Sequence, residues 1–175
     1  MRNKNVVRLT QAAVIAALYA VLTIAQSTLL PGTVSGDIQF RVSEILCVIA
    51  FFTPAAIPGL TVGCLLANLL AGLGAIDLIL GPLASLLAAL TMWLLRNVRI
   101  KGVPAAGLLM PALWNGLIVG FEIAFFFTDG GFTIPVFLTA GGFVALGELA
   151  VLFVLGLPFC KVIEKTGIFK GKQFA

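Results

Sequence analysis

Six apolar stretches, separated by short polar or proline-containing segments, follow one another along the chain. A helix needs about 20 apolar residues to cross a lipid bilayer, or somewhat fewer where neighbouring helices bury part of it. The second stretch is short, and Thr53-Pro54 and Pro58 separate it from the third. The pattern predicts six transmembrane helices, at residues 9–30, 40–52, 59–73, 76–95, 105–127 and 135–157, with the last running on towards Lys165.

These helices leave almost no extramembrane part, so we expect an all-α integral membrane bundle that forms a single domain over residues 1–175. Composition agrees, because the chain is 61% apolar and 10% charged and has a mean hydropathy of +1.15. Soluble domains are about 45–50% apolar and about 25% charged. An ordinary soluble globule, a disordered chain and a solenoid repeat are excluded.

A cleaved signal peptide is the alternative for the first stretch, but its apolar region would be unusually long.

The charge pattern predicts the orientation, because ten of the eleven Lys and Arg residues fall in three short segments. The opposite side of the predicted bundle carries only Arg41. Cytoplasmic loops are enriched in Lys and Arg, so both termini are expected in the cytoplasm. This clustering reflects topology rather than a nucleic-acid surface, and no nucleic-acid partner is expected. The three segments contain Arg2, Lys4 and Arg8; Arg96, Arg99 and Lys101; and Lys161, Lys165, Lys170 and Lys172.

Missing residues and motifs argue against an enzyme. The chain has no histidine, which removes the commonest general base and most zinc and haem ligands. Cys47, Cys64 and Cys160 are far apart in apolar stretches and indicate buried free thiols rather than a redox pair. There is no Walker A sequence and no GxGxxG. We expect no catalytic residue, metal or cofactor.

Small residues recur at every fourth position in three of the predicted helices, a spacing that allows helices in lipid to approach closely. In the third and fifth helices we interpret this spacing as internal packing. The broad alanine face of the first helix has another interpretation, because any exposed part would be a docking surface for a second membrane subunit. The three sets are Ala12, Ala13, Ala16, Ala17 and Ala20; Gly59, Gly63, Ala67 and Ala71; and Ala112, Gly116, Gly120 and Ala124.

Five acidic residues lie in or near the predicted helices, although a charge at mid-membrane costs roughly 2.5–3.5 kcal/mol on insertion scales. They are Glu44, Asp77, Glu122, Glu148 and, in an outer loop, Asp129. Arg41 is the basic residue available among them, and it shares a face of one helical turn with Glu44. We interpret Arg41 and Glu44 mainly as a structural ion pair, with direct substrate binding as the alternative.

Glu122 and Glu148 have no basic partner within their own helices, so each is either protonated or binds a group with N–H donors or positive charge. Asn115 lies two turns before Glu122 on the same face, with Trp114 beside it. A carboxylate, an amide and an indole suit a planar ligand rich in N–H donors. Hydrogen bonds to neighbouring helices are the alternative. The candidate substrate-binding residues are Glu122, Glu148, Asn115, Trp114, Asp77 and Asn68, with Trp93 as a further aromatic ring.

The first outer loop, residues 30–37, is rich in proline, glycine and small polar residues. Such a segment suits a flexible cover over an outward-facing site. A simple connecting loop is the alternative.

Several short segments resemble the sequence of the QueT family, the substrate-specificity (S) components of energy-coupling factor (ECF) transporters. The resemblance follows the same order along the chain and is clearest over the second to fourth helices. The segments are residues 38–44 (IQFRVSE), 52–56 (FTPAA), 59–64 (GLTVGC) and 67–69 (ANL), together with Asp77 and Gly81.

The resemblance implies an S-component fold of six helices in a bacterial cell membrane and uptake of a queuosine precursor, a 7-deazaguanine nucleobase. It also implies partners, namely a transmembrane coupling subunit and two ATPases, which would hydrolyse ATP. Alanine-rich motifs on the first helix of S components lie against the coupling subunit. The ligand site would lie towards the outer side, covered by loops.

The chemistry of this ligand suits the candidate residues. Glu122 or Glu148 would read the donor edge of the guanine-like base, and the other acid, or Asp77, would meet an aminomethyl substituent. Asn115 or Asn68 would address the carbonyl oxygen, with Trp114 stacking on the base. Cyano and aminomethyl bases and queuine are all compatible with the resemblance.

Other functions fit the same residues. The scaffold could bind another vitamin-like substrate, because fold does not fix substrate. A stand-alone carrier could couple transport to protonation of Glu122 and Glu148. A membrane enzyme would lack a visible nucleophile–base pair, and a purely structural subunit would gain nothing from costly buried acids.

Overall fold

The computed structural model describes residues 3–34, 40–72 and 74–169, and these residues form helices joined by turns and short loops, with one isolated bridge between Ile100 and Val103. Several predicted features lie outside these ranges: Arg2, Lys170 and Lys172 of the basic segments, residues 35–37 of the outer loop and residues 38–39 of the QueT-like segment. The helices are α1 (Lys4–Leu29), a 3₁₀ helix (Val42–Phe51), α2 (Ala56–Ala71), α3 (Asp77–Leu94), α4 (Ala105–Leu108), α5 (Met110–Phe126), α6 (Ile134–Val151), a π-helical segment (Leu152–Gly156) and α7 (Leu157–Thr166).

Each of the six predicted stretches contains a helix, and the all-α prediction is confirmed for the described residues. Two of the six helices, Val42–Phe51 and Ala56–Ala71, are shorter than an ordinary membrane span. The number of crossings and the cytoplasmic termini therefore stay predictions. Within the described ranges, four helical segments are long and apolar enough to cross a membrane: Lys4–Leu29, Asp77–Leu94, Ala105–Phe126 and Ile134–Thr166.

The 3₁₀ helix lies at the centre of the bundle, where it contacts α1, α2, α3, α6 and α7. A 3₁₀ helix rises about 2.0 Å per residue, so its ten residues extend about 20 Å, against about 15 Å for an α-helix of that length. Eight of the ten residues are buried. A helix that is surrounded by other helices is expected to be apolar on every side. Glu44, the buried carboxyl group of this 3₁₀ helix, is an exception and therefore needs hydrogen-bond partners.

Glycines allow close contact in two helix pairs, α1 with α2 and α5 with α6. A Cβ added to Gly63 of α2 would lie 2.8 Å from the Tyr19 Cβ and 3.0 Å from the Ala16 carbonyl oxygen of α1. A Cβ added to Gly120 of α5 would lie 2.5 Å from the Cα of Gly141 in α6. Real side chains do not fit at these distances, so the prediction of internal packing is confirmed for these glycines.

The alanine face of α1 is divided between interior and surface. Ala16 and Ala20 are buried in the bundle, with Ala16 against Gly63 of α2, so these two alanines do not form an open surface. Ala12 is half-buried, and its carbonyl oxygen lies against α2. Ala13 and Ala17 are exposed. The part of the predicted face that remains open is therefore the stripe around these two residues.

Candidate functional site

Three carboxyl groups of the described residues are buried inside the bundle. Glu44, Glu122 and Glu148 are 2%, 1% and 4% exposed, respectively. Asp77 is half-buried at the start of α3, and Asp129 is exposed in the turn between α5 and α6. Because a buried charge without partners is costly, the surroundings of these acids decide what each can do.

Among the described residues, two side chains donate hydrogen bonds to Glu44. The Tyr19 hydroxyl donates to its Oε1, and the Cys47 thiol donates to its Oε2 at 2.9 Å. Arg41, its predicted ion-pair partner, interacts with it electrostatically, and the Arg41 Nε donates to the Val34 carbonyl oxygen at 3.2 Å. These bonds fit the structural role predicted for Glu44.

Gln26 of α1 bonds to the first predicted outer loop and to the residues that follow it. The Gln26 amide nitrogen donates to the Thr33 hydroxyl at 3.0 Å and to the Phe40 carbonyl oxygen, and its amide oxygen accepts from the Val42 N–H at 2.7 Å. Val34, within the loop, is buried. The described part of the predicted cover is thus tied to α1 next to Arg41.

Tyr19, Thr23 and Gln26 were not among the sequence candidates. Thr23 donates to the Ser43 hydroxyl at 2.8 Å, so all three residues bond to the 3₁₀ helix or to the loop that precedes it. Their spacing of four and three residues places them on one face of α1. That polar stripe in an apolar helix was the signal that could have identified them.

Glu148 is paired on one side only. The Asn115 side-chain nitrogen in α5 donates to its Oε1 at 3.2 Å. Its Oε2 is buried and has no hydrogen-bond partner within the described ranges. The structure thus brings together two predicted site residues and leaves one acceptor atom unused.

Glu122, Asp77 and Asn68 form a second group. The carboxyl groups of Asp77 and Glu122 are close enough to share a hydrogen bond when one of them holds a proton. As two carboxylates they have no donor between them, and both Glu122 oxygens are then buried without a partner in the described part of the chain. The Asn68 amide nitrogen donates to the Asp77 carbonyl oxygen at 2.8 Å, which leaves its buried Oδ1 without a described partner.

The positive charge of Arg41 acts on the acids described above. Its guanidinium charge interacts with Glu44 and Glu148, and also with Asp77 and Glu122. Four acids from four different helices therefore act on the charge of one arginine. Carboxyl groups outnumber basic side chains in this described part of the interior, a composition that suits a ligand with positive charge or several N–H donors.

The indole rings of the two tryptophans contact Thr91 and Arg96. The Trp114 indole donates to the Thr91 hydroxyl at 3.2 Å. Thr91 follows Asp77 by 14 residues of α3, or about 21 Å along the helix axis. Trp93 stacks under the Arg96 guanidinium at 3.9 Å, near the other end of α3. The hydrogen bond from Trp114 in α5 to Thr91 in α3 joins two helices. This is the alternative role given above for Trp114, in place of stacking on a ligand.

Comparison with known proteins agrees with the resemblance seen in the sequence. A family model described as QueT transporter matches residues 9–165. The chain is 34% identical over 165 residues to a protein of Lactococcus lactis subsp. cremoris (strain MG1363) named Queuosine precursor transporter QueT, which covers 88% of this chain and 90% of that protein. No solved structure matches the chain significantly. Because the family model matches nearly the whole chain and the Lactococcus protein is similar over nearly its full length, the chain belongs to the QueT transporter family.

Proposed function

We propose that this membrane protein binds a queuosine precursor, a 7-deazaguanine base, and delivers it as the substrate-binding subunit of an ECF-type importer. A transmembrane coupling subunit and two ATPases would complete the importer and supply ATP hydrolysis. The family and the name of the Lactococcus relative support the substrate. The partner module rests on the sequence resemblance to S components.

The observation that carries the proposed substrate is the set of unused acceptors in the interior. Both oxygens of Glu122 and the Oε2 of Glu148 are buried without a hydrogen-bond partner among the described residues. A buried acceptor without a partner costs about 1–3 kcal/mol, and more when it is charged. A ligand that offers several N–H donors removes this cost on binding, and a guanine-like base offers a ring N–H and an amino group.

Glu148, Asn115 and Arg41 form what we call the base-edge cluster, which suits the edge of such a base. Glu148 provides acceptors for the N–H groups, while the Asn115 amide and the Arg41 guanidinium provide donors for the carbonyl oxygen. Acceptors and donors side by side match the mixed edge of guanine. Trp114 has no ligand contact in this proposal, because its indole donates to Thr91.

Docking to a coupling subunit would use the exposed stripe of α1. Ala13 and Ala17 lie on the surface, and the neighbouring exposed positions Leu9 and Val21 are apolar. Small exposed residues permit close approach of a second helix in lipid. Ala16, which packs on α2, would support this surface from inside rather than touch the partner.

Calorimetry on the purified protein in detergent tests the substrate. The panel contains 7-aminomethyl-7-deazaguanine, the 7-cyano base, queuine, guanine, riboflavin and thiamine. We expect tight binding of at least one 7-deazaguanine, and a loss of roughly 100-fold in Glu148→Gln, because a charged acceptor is removed from the base edge. Glu164→Gln, which changes a half-exposed acid on α7, is the matched control. Binding of an unrelated vitamin alone would overturn the substrate.

Co-purification tests the partner module. Ala17→Trp fills the exposed stripe of α1 and is expected to reduce recovery of the coupling subunit and the ATPases. Ala150→Trp makes the same change at an exposed position of α6 and should leave recovery unchanged. Uptake of the base into liposomes that contain this protein alone would contradict the proposed module and favour a proton-coupled carrier.

A further inference from the structure

Three groups that offer only acceptor atoms meet at the Asp77 end of α3. They are the Asp77 carboxyl group, the Glu122 carboxyl group and the Oδ1 of Asn68, which we call the acceptor cluster. Asn68 is placed by its bond to the Asp77 carbonyl oxygen and by Gly81, where an added Cβ would lie 2.5 Å from its amide nitrogen. The Asn68 donor is therefore used, and the acceptor that remains is buried and without a described partner.

The two clusters differ in the chemistry they offer. The base-edge cluster combines the acceptors of Glu148 with the Asn115 amide that donates to it and with the guanidinium charge of Arg41, which acts on Glu148 electrostatically. In the acceptor cluster, two carboxyl groups face each other and the amide presents its oxygen. Two ionised carboxylates within hydrogen-bonding reach of each other repel. A cation bound between them replaces that repulsion with attraction. A primary ammonium group is the matching organic cation, because it carries positive charge and three N–H donors and has no acceptor.

We propose that Asp77, Glu122 and Asn68 bind a primary ammonium group of the substrate, and that the protein therefore selects the 7-aminomethyl base over the neutral 7-cyano base. This inference rests on the proposed function, since it assigns the substituent of a base whose edge lies at Glu148.

The separation of the two clusters fits one ligand. Asn115, which holds Glu148, and Glu122 lie seven residues apart on one face of α5, or about 10 Å along the axis. A two-ring base with a one-carbon substituent, with a hydrogen bond of about 2.9 Å at each end, spans a distance of this size.

Calorimetry with the purified full-length protein tests the selection, with the aminomethyl and cyano bases as probes. We expect the wild-type protein to bind the aminomethyl base roughly 100-fold more tightly, because several charge-assisted hydrogen bonds are made by the ammonium group alone. Glu122→Gln is expected to abolish this preference by weakening the aminomethyl base, with less than about a threefold change for the cyano base. Asp129→Asn removes an exposed acid from the α5–α6 turn and should keep the preference, which controls for charge on the outer side.

The outcomes separate this inference from the proposed function. If the wild-type protein binds neither base, the proposed function and the inference both fail. If it binds both bases equally well, or if Glu122→Gln keeps the preference, the acceptor cluster does not bind an ammonium group and the proposed function stands. Asp77→Asn provides a second variant should Glu122→Gln fail to fold. Asp77 is half-buried at a helix start, and its substitution is expected to reduce the same preference at least tenfold.

Discussion

Replacing Gly141 with alanine should destabilise the protein, whereas the same change at the adjacent Gly142 should not. An added Cβ at Gly141 would lie 2.5 Å from the Gly116 carbonyl oxygen in α5, about 0.9 Å inside the 3.4 Å at which ordinary contact begins. At Gly142 an added Cβ meets no atom within 4 Å. The two substitutions therefore differ in geometry while matching in composition and helix.

The size of the effect follows from what has to move. The atom in the way belongs to the backbone, so α5 and α6 must separate, and a gap of 0.5–1 Å removes about a quarter to a half of each dispersion contact across the interface. Helices in lipid associate through such contacts and gain little from leaving water. Overpacking substitutions cost roughly 1–3 kcal/mol. We expect Gly141→Ala to lower the free energy of unfolding by about 3 kcal/mol, at the upper end of this range.

Reversible unfolding in mixed detergent and SDS micelles, followed by tryptophan fluorescence, measures the difference. Gly142→Ala should change the free energy of unfolding by less than about 0.5 kcal/mol, or stabilise the helix by up to about 1 kcal/mol, since alanine is the better helix former. Equal unfolding midpoints for the two variants would refute the argument that this glycine contact fixes the packing of α5 on α6.

Three further substitutions probe polar contacts. Tyr19→Phe removes the hydroxyl that donates to Glu44, and the loss of a partner for a buried carboxyl group should cost about 1–3 kcal/mol in the same unfolding assay; an unchanged midpoint would contradict it. Gln26→Ala removes the hydrogen bonds that tie Thr33 and Val42 to α1, and it should speed cleavage between these residues by an added protease while lowering the free energy of unfolding by no more than about 3 kcal/mol. Arg99→Ala breaks an ion pair with Glu164 in which both side chains are 35% exposed, and should cost less than about 1 kcal/mol.

Hydropathy located the helices accurately. The fourth predicted stretch, residues 76–95, corresponds to Asp77–Leu94, and the fifth, residues 105–127, corresponds to the apolar segment Ala105–Phe126. This works because lipid imposes one local requirement, a run of apolar residues long enough to satisfy its own backbone within the helix. The first helix begins earlier than predicted, at Lys4, because polar residues are tolerated where a helix leaves the apolar stretch.

The acids could be chosen from the sequence, but their partners could not. Burial cost alone identified Glu122, Glu148 and Asp77, since a carboxyl group in an apolar helix needs a reason. The Asn115 contact of Glu148 joins residues 33 positions apart, and the Tyr19 contact of Glu44 joins residues 25 positions apart. Local spacing carries no information at such separations.

The sequence by itself determined the place of the apolar helices, the small residues that let them pack and the acids that would need partners. The tertiary structure decided which acids share a cluster, which alanines of α1 stay exposed and where Trp114 points. The physical reason is rotation about the helix axis, because a helix that is apolar on every side has no polar face to orient it. In this protein the rotation is set where backbones meet, as at Gly120 and Gly141, and that contact exists only after the chain has folded.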